Sequence, residues 1–186
     1  MRIVAGSLRG RRLLSPKGHA IRPTTDRNRE SLFNILNHRF SDQLAGRVLD
    51  IFAGTGALGL EALSRGAEAA VFIEKSGQGA ALVTEHIESF KLADRATLLK
   101  RDATRPGPLQ GLDPFDLIFA DPPYGKGLGE KAVAELMANG WFADGSVLVL
   151  EEKAGALPEL LEWFERRDSR SFGETEVGFY QYVTSR

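Results

Sequence analysis

Apolar residues fall along this chain in two rhythms. Arg47–Phe52, Ala69–Ile73, Ala96–Lys100, Phe115–Ala120 and Ser146–Glu151 are short, nearly continuous apolar runs. Such runs read as parallel strands buried on both faces. Between them the spacing is helical. Leu32, Phe33, Ile35, Leu36 and Phe40 form one stripe, which predicts a helix from Arg27 to about Phe40 capped by Thr25 or Asp26. Further helices are expected up to Arg65 with Gly66 as the stop, over Gly79–Phe90, over Glu130–Asn139 and over Leu157–Glu165. Alternating strands and helices predict an α/β protein with a doubly wound sheet. The period changes near the end, where Glu165–Phe172 and Val177–Val183 alternate like a closing antiparallel hairpin. The start reads as a hairpin-like pair: Arg2–Gly6, a turn over Ser7–Gly10, then Arg11–Pro16. No repeat or long linker divides the chain. Residues 1–186 are therefore expected to form one domain, with 1–20 as a basic extension and 21–186 as the α/β body.

The first strand runs into Ala53-Gly54-Thr55-Gly56-Ala57-Leu58-Gly59 and then a helix. Strand, glycine loop and helix bring backbone close to a ligand at the open end of a sheet. The glycine spacing alone also fits a dinucleotide site. Asp50 lies inside the strand, four residues before Gly54, where a carboxylate meets an ammonium and repels a pyrophosphate. Tethering of loop amides is an alternative use for it. Glu74, at the tip of the second strand, can accept from both hydroxyls of a ribose. Asp102, just past the third strand and followed by Ala103, can accept from an adenine amine. Ala53, Gly54, Gly56 and Thr25 complete the expected cofactor contacts, with Thr24 beside them.

The fourth strand stops at Asp121-Pro122-Pro123-Tyr124. Two prolines fix φ and give up their N–H groups, so the ladder ends and a stiff segment faces outward. It offers a carboxylate (Asp121), a carbonyl (Pro122) and an aromatic face (Tyr124). Those groups suit a planar base with an exocyclic amine: two acceptors hold its hydrogens and the ring holds its plane. Asp-Pro-Pro-Tyr is a signature of methyltransferases acting on the amines of nucleic-acid bases, which this chain resembles. Beyond it Gly125–Gly129 reads as a glycine-rich loop, with Lys126 in reach of a phosphate.

Charge separates the two ends of the chain. The net charge is −1, yet residues 1–30 carry +6 and the remainder −7. A basic arm on an acidic body is the layout of a nucleic-acid contact. Its candidates are Arg2, Arg9, Arg11, Arg12, Lys17 and Arg22. There are no cysteines, which excludes disulfides and thiolate chemistry, and three scattered histidines give no metal spacing. No apolar run approaches the ~20 residues of a membrane span, and no signal-peptide layout is present. A cytoplasmic protein without metal is expected.

Four blocks in order narrow the resemblance: Arg-Ile-Val-Ala-Gly-x-x-x-Gly-Arg at 2–11, Arg-Pro-Thr-Thr-Asp-Arg-x-Arg-Glu at 22–30, Asp-Ile-Phe-Ala-Gly-Thr-Gly at 50–56 and Asp-Pro-Pro-Tyr at 121–124. Together they are similar to the RsmD family of bacterial class I methyltransferases, and the likeness spans essentially the whole chain. The resemblance implies a seven-stranded Rossmann-like sheet with an N-terminal basic β-hairpin extension. It implies S-adenosylmethionine as cofactor and methylation of a guanine N2 in 16S ribosomal RNA, within an assembled or assembling small subunit. Asp121, Pro122 and Tyr124 would be the catalytic strip, Asp50, Glu74 and Asp102 cofactor contacts, and the arm an RNA contact. A monomer without metal or membrane is expected. Amine methylation of adenine or cytosine in DNA is the alternative, although no residues remain to build an added recognition domain. A nicotinamide-dependent oxidoreductase leaves the strip and arm idle, and a non-catalytic RNA binder leaves the strip unexplained.

Overall fold

The structure, a computed structural model, describes residues 1–15, 25–160 and 163–184. Its elements are α1 (Asp26–Arg39), α2 (Ser41–Ala45), β1 (Arg47–Ile51), α3 (Ala57–Ser64), β2 (Ala69–Ile73), α4 (Gly77–Ser89), β3 (Ala96–Leu99), β4 (Phe115–Ala120), α5 (Leu128–Ala138), β5 (Phe142–Lys153), β6 (Phe164–Phe172) and β7 (Thr175–Tyr182). The seven strands form one sheet in the order β3-β2-β1-β4-β5-β7-β6. β1 to β5 pair in parallel, and β7 runs antiparallel between β5 and β6.

Strand alternation assigns side chains to the two faces. Val48, Phe72, Leu117, Phe119, Val147 and Val149 pack on one face against α1, α3, α4 and the N-terminal arm. Leu49, Ile51, Ile73, Ile118, Leu148 and Leu150 face the opposite way, against α5 and Trp141. This two-sided burial is why the strands read as unbroken apolar runs. α1 begins where its cap predicts, with the Thr25 hydroxyl accepting from Asn28 N–H at 3.1 Å.

Three expectations need correction. The arm pairs over a shorter length than expected: among the described residues it forms a single antiparallel bridge, Arg2 with Arg12, made by Ile3 N–H to the Arg11 carbonyl at 2.9 Å and Leu13 N–H to the Met1 carbonyl at 3.0 Å. Other backbone groups of the arm are spent on α3: Val4 and Ala5 N–H donate to Glu61 and Ser7 N–H to the Ser64 carbonyl. The part of the expected pair past residue 15 lies outside the described residues. The helix expected over Leu157–Glu165 does not form, because residues 157–160 are irregular and Phe164 already belongs to β6. Pro158 disfavours a helical conformation at Leu157. The Pro158 carbonyl instead accepts from the Tyr180 hydroxyl at 2.9 Å, laying this segment along the sheet. Finally, β5 reaches from Phe142 to Lys153, well beyond the six residues expected, because β7 supplies a partner along its far half.

Candidate active site

Strand order reverses between β1 and β4, each flanked on its other side by a different branch of the sheet. A crevice therefore opens at their carboxyl ends, where open α/β sheets bind ligands. It holds a cavity of about 610 Å³. Asp50, Ala53, Gly54 and Glu74 form one part of its wall. Asp102 and Ala103 form a second, and Asp121, Pro122 and Tyr124 a third. Two expected contacts stand elsewhere. Gly56 caps α3 in a left-handed conformation, φ 77°, where a Cβ would press on Phe72 and Val83 at 3.2 Å. Thr25 is exposed and serves as the α1 cap, away from the cavity wall. Thr24 lies outside the described residues.

The glycine loop is held from below. Glu74 Oε2 accepts from Gly54 N–H at 2.7 Å and Oε1 from Ser76 N–H at 2.7 Å. Asp50 Oδ2 accepts from Gly59 N–H at 2.9 Å. Both carboxylates thus tether backbone while keeping further lone pairs for a ligand. At Gly54, φ 58°, an added Cβ would meet nothing nearer than the Phe52 carbonyl at 4.0 Å. The loop therefore offers bare backbone to the cavity, a cradle in which a nucleoside can lie. Asp102 is anchored by Lys75 Nζ at 2.8 Å and by the Thr104 hydroxyl and N–H at 2.8 and 3.0 Å. These donors hold its carboxyl well below the usual carboxylate range.

The other side of the crevice is electrically different. Burial pushes the Asp50 carboxyl up to about 8, and the nearby Glu74 charge adds to the shift. Burial also raises Asp121 well above the usual range, reinforced by the charges of Glu151, Asp50 and Glu152. Two proton-hungry carboxyls in one crevice are a receptor for a cation, whose charge restores both to their ionised forms. Tyr124 is 37% exposed, with its ring at the crevice mouth. Its hydroxyl donates to Glu151 Oε1 at 2.6 Å, and burial together with this bond holds the phenol protonated. Lys126 is exposed in the turn before α5.

The arm meets this site through buried polar groups absent from the sequence reading. Glu61, on α3 and fully buried, accepts from Val4 N–H at 2.8 Å, Ala5 N–H at 3.0 Å and Arg65 Nε at 2.8 Å. Arg29, also fully buried, reaches Glu61 at 3.5 Å and Asp26 at 3.0 Å, and with Met1 lines the cavity. Ser64 Oγ donates to the Ala5 carbonyl and accepts from Leu8 N–H. Gly6, φ 83°, lies so close that a Cβ would sit 1.8 Å from the Ser64 carbonyl oxygen. His86 Nε2 accepts from Leu14 N–H at 2.8 Å, which assigns its proton to Nδ1, 3.0 Å from the Thr55 carbonyl. Ile3 and Leu13 are buried beneath. Arg2, Arg9, Arg11 and Arg12 remain exposed on the outer surface of the arm. Lys17 and Arg22 lie outside the described residues.

Among the described residues no cluster of His, Cys, Asp or Glu can hold a metal ion, and no helix is long and apolar enough to cross a membrane.

Known proteins match this arrangement along nearly the whole chain. The family described as conserved hypothetical protein 95 matches residues 1–181. Ribosomal RNA small subunit methyltransferase D of Escherichia coli strain K12 is 36% identical over 182 residues, 97% of this chain and 89% of that protein. The solved structure of yhhF from Escherichia coli, described as a candidate methyltransferase, superposes with a TM-score of 0.85 at 34% identity, covering 100% of this chain and 99% of that one. A hypothetical protein of Thermus thermophilus gives 0.74 at 32% identity, covering 96% and 98%. The sheet order and these neighbours make the fold that of the class I methyltransferases. The chain belongs to the family described as conserved hypothetical protein 95, that of the ribosomal RNA small subunit methyltransferase D proteins.

Proposed function

We propose that this protein transfers a methyl group from S-adenosylmethionine to the N2 amine of a guanine in small-subunit ribosomal RNA. One observation carries the reading: the Asp121–Tyr124 segment leaves the sheet at the wall of the same cavity that Asp50, Gly54 and Glu74 border. Acceptor strip and nucleoside cradle thus share one space. The residues fit the cofactor. Asp50 would hold its ammonium, Glu74 its ribose hydroxyls and Asp102 its adenine amine, and Gly54 leaves room for a backbone contact.

When bound, that cofactor supplies a methyl already activated on a sulfonium. The protein's task is to present a poor nucleophile, because the guanine amine shares its lone pair with the ring. The base leaves its stack and lies on Tyr124. Asp121 and the Pro122 carbonyl accept the two amine hydrogens, which localises the lone pair toward the methyl. The raised proton affinity of Asp121 lets it take the proton released after transfer. The exposed arginines of the arm hold the RNA backbone, and Met1 and Arg29 join that arm to the cavity. The protein acts as a monomeric single domain in the cytoplasm, on assembled or assembling small subunits.

The test is to supply particles lacking the modification with tritiated S-adenosylmethionine and identify the labelled nucleoside. N2-methylguanosine is expected. Label on an adenine or cytosine amine, or none at all, rejects the reading.

A further inference from the structure

The Asp121–Tyr124 strip explains how an amine is held but not why the amine is guanine's. Adenine N6 and cytosine N4 each lie beside a bare ring nitrogen, which accepts a hydrogen bond. Guanine N2 lies beside N1–H, which donates. Two acceptors for the amine alone therefore take all three bases, and a further acceptor beside Asp121 that meets N1–H would tell guanine apart.

β5 provides one. Ala120 pairs with Leu150, so the next position sets Asp121 beside Glu151 on neighbouring strands, which lie about 4.8 Å apart. Alternation gives both the facing of Phe119 and Val149. Phe72 and Asp50 share that facing, and Glu74 follows Phe72 by two. Glu74 and, two residues lower, Asp50, then Asp121 and Glu151 thus follow one another across the carboxyl ends of β2, β1, β4 and β5. The first two belong to the cofactor half of the crevice, and Glu151 lies past the amine acceptors, on the substrate side. The Tyr124 hydroxyl bonds Glu151 Oε1 at 2.6 Å, which puts the carboxylate at the edge of the ring that stacks the base. Among the described residues Oε2 accepts no hydrogen bond. Glu152 is unsuited, since in the regular register of β5 it follows Glu151 by one and so takes the opposite facing.

Resting on the reading that guanine N2 is the methyl acceptor, we propose that Glu151 is a specificity-determining residue whose Oε2 accepts from guanine N1–H. Asp121 and Pro122 hold the amine, and Glu151 reads the atom next to it. Adenine or cytosine in the same pose turns a ring lone pair toward the carboxylate and is rejected.

The experiment compares two particles, assembled with guanosine or with 2-aminopurine at the nucleotide that the unaltered protein methylates. 2-Aminopurine keeps the amine but has a bare N1. In single-turnover assays the protein should methylate guanosine about 10- to 100-fold faster, the effect of one unmatched buried polar group. Glu151→Gln keeps an oxygen for Tyr124 and gains an amide donor for a bare N1, so the gap should close to within about threefold. Tyr124→Phe cuts the bond to Glu151 but leaves the carboxylate, and should retain the preference. A merely structural Glu151 slows both substrates alike in Glu151→Gln, and an unchanged ratio overturns the inference while N2-methylguanosine continues to form. Methyl recovered on an adenine or cytosine amine removes the underlying reading, and the inference with it.

Discussion

Asp50→Asn separates what this carboxyl does for binding from what it costs the fold. Asp50 is 3% exposed, and burial with the Glu74 charge moves its carboxyl from 3.8 up to about 8. The folded state therefore holds this proton more tightly than the unfolded chain does. The associated stability is full below about pH 4 and is lost as the pH climbs through about 8. Each unit in that window is worth ~1.4 kcal/mol, so on the order of 4 kcal/mol disappears between pH 4 and pH 7. Asparagine has the same shape, carries no charge and keeps an oxygen for Gly59 N–H. The variant should thus gain on the parent by ~1.4 kcal/mol per unit from pH 5 to pH 8 and by nothing more above that. Urea unfolding of both proteins across this range measures the difference, in which the remaining carboxylates cancel. A pH-independent difference would falsify the burial argument. Binding should move the other way. S-adenosylhomocysteine should bind the variant more weakly, and should displace a proton from the parent below pH 8, read by calorimetry in buffers of different ionisation heat.

Asp121→Ala should abolish methyl transfer in single-turnover assays while leaving S-adenosylhomocysteine affinity nearly unchanged. In the same assays Tyr124→Ala should be severe, losing about 1–3 kcal/mol of stacking, and Tyr124→Phe mild; equal damage in the two rejects stacking as the ring's role. Replacing Arg9, Arg11 and Arg12 by Ala should spare cofactor binding and flatten the salt dependence of RNA turnover by roughly one unit per lost phosphate contact. An unaltered slope means that the arm touches no phosphate. Glu61→Ala takes the acceptor from the Val4 and Ala5 N–H groups and from Arg65 Nε and removes one partner of the buried Arg29, and should cost about 3–5 kcal/mol. Hydrogen exchange at Val4 and Ala5 should accelerate in that variant, and unchanged protection there refutes the clamp.

The sequence announces what is written in contiguous residues. Apolar runs declare the five parallel strands because both faces of each are covered, and Pro122-Pro123 declares where the fourth must stop. What it hides are pairings across long separations. Glu61 reads as an ordinary helix glutamate until Val4 and Ala5, more than fifty residues away in sequence, arrive to donate to it. His86 is unreadable for the same reason, since its partners Thr55 and Leu14 come from two other segments. Glu151 closes an apolar run, and only strand register reveals that it stands beside Asp121. Leu157 and Leu160 are spaced for a helix, but three-residue spacing fits an irregular strip over a sheet equally well. Thr25 offered a cap and a cofactor contact, and the structure uses it as the cap.

The sheet is closed out of sequence, and this sets a hazard for a chain still being made. Val147 to Leu150 are all buried, covered on one side by β4 and on the other by β7, which spans residues 175–182. Until β7 has arrived, β5 is an open edge of four apolar residues, the kind of stretch that pairs with other chains. Glu151, Glu152 and Lys153 follow that run directly. Charges that flank an apolar run in this way oppose the joining of one unfinished edge to another. A chain cut after residue 160 and carrying Gln at 151 and 152 should scatter light sooner than the same fragment with both glutamates; equal scattering leaves these carboxylates to the finished fold alone.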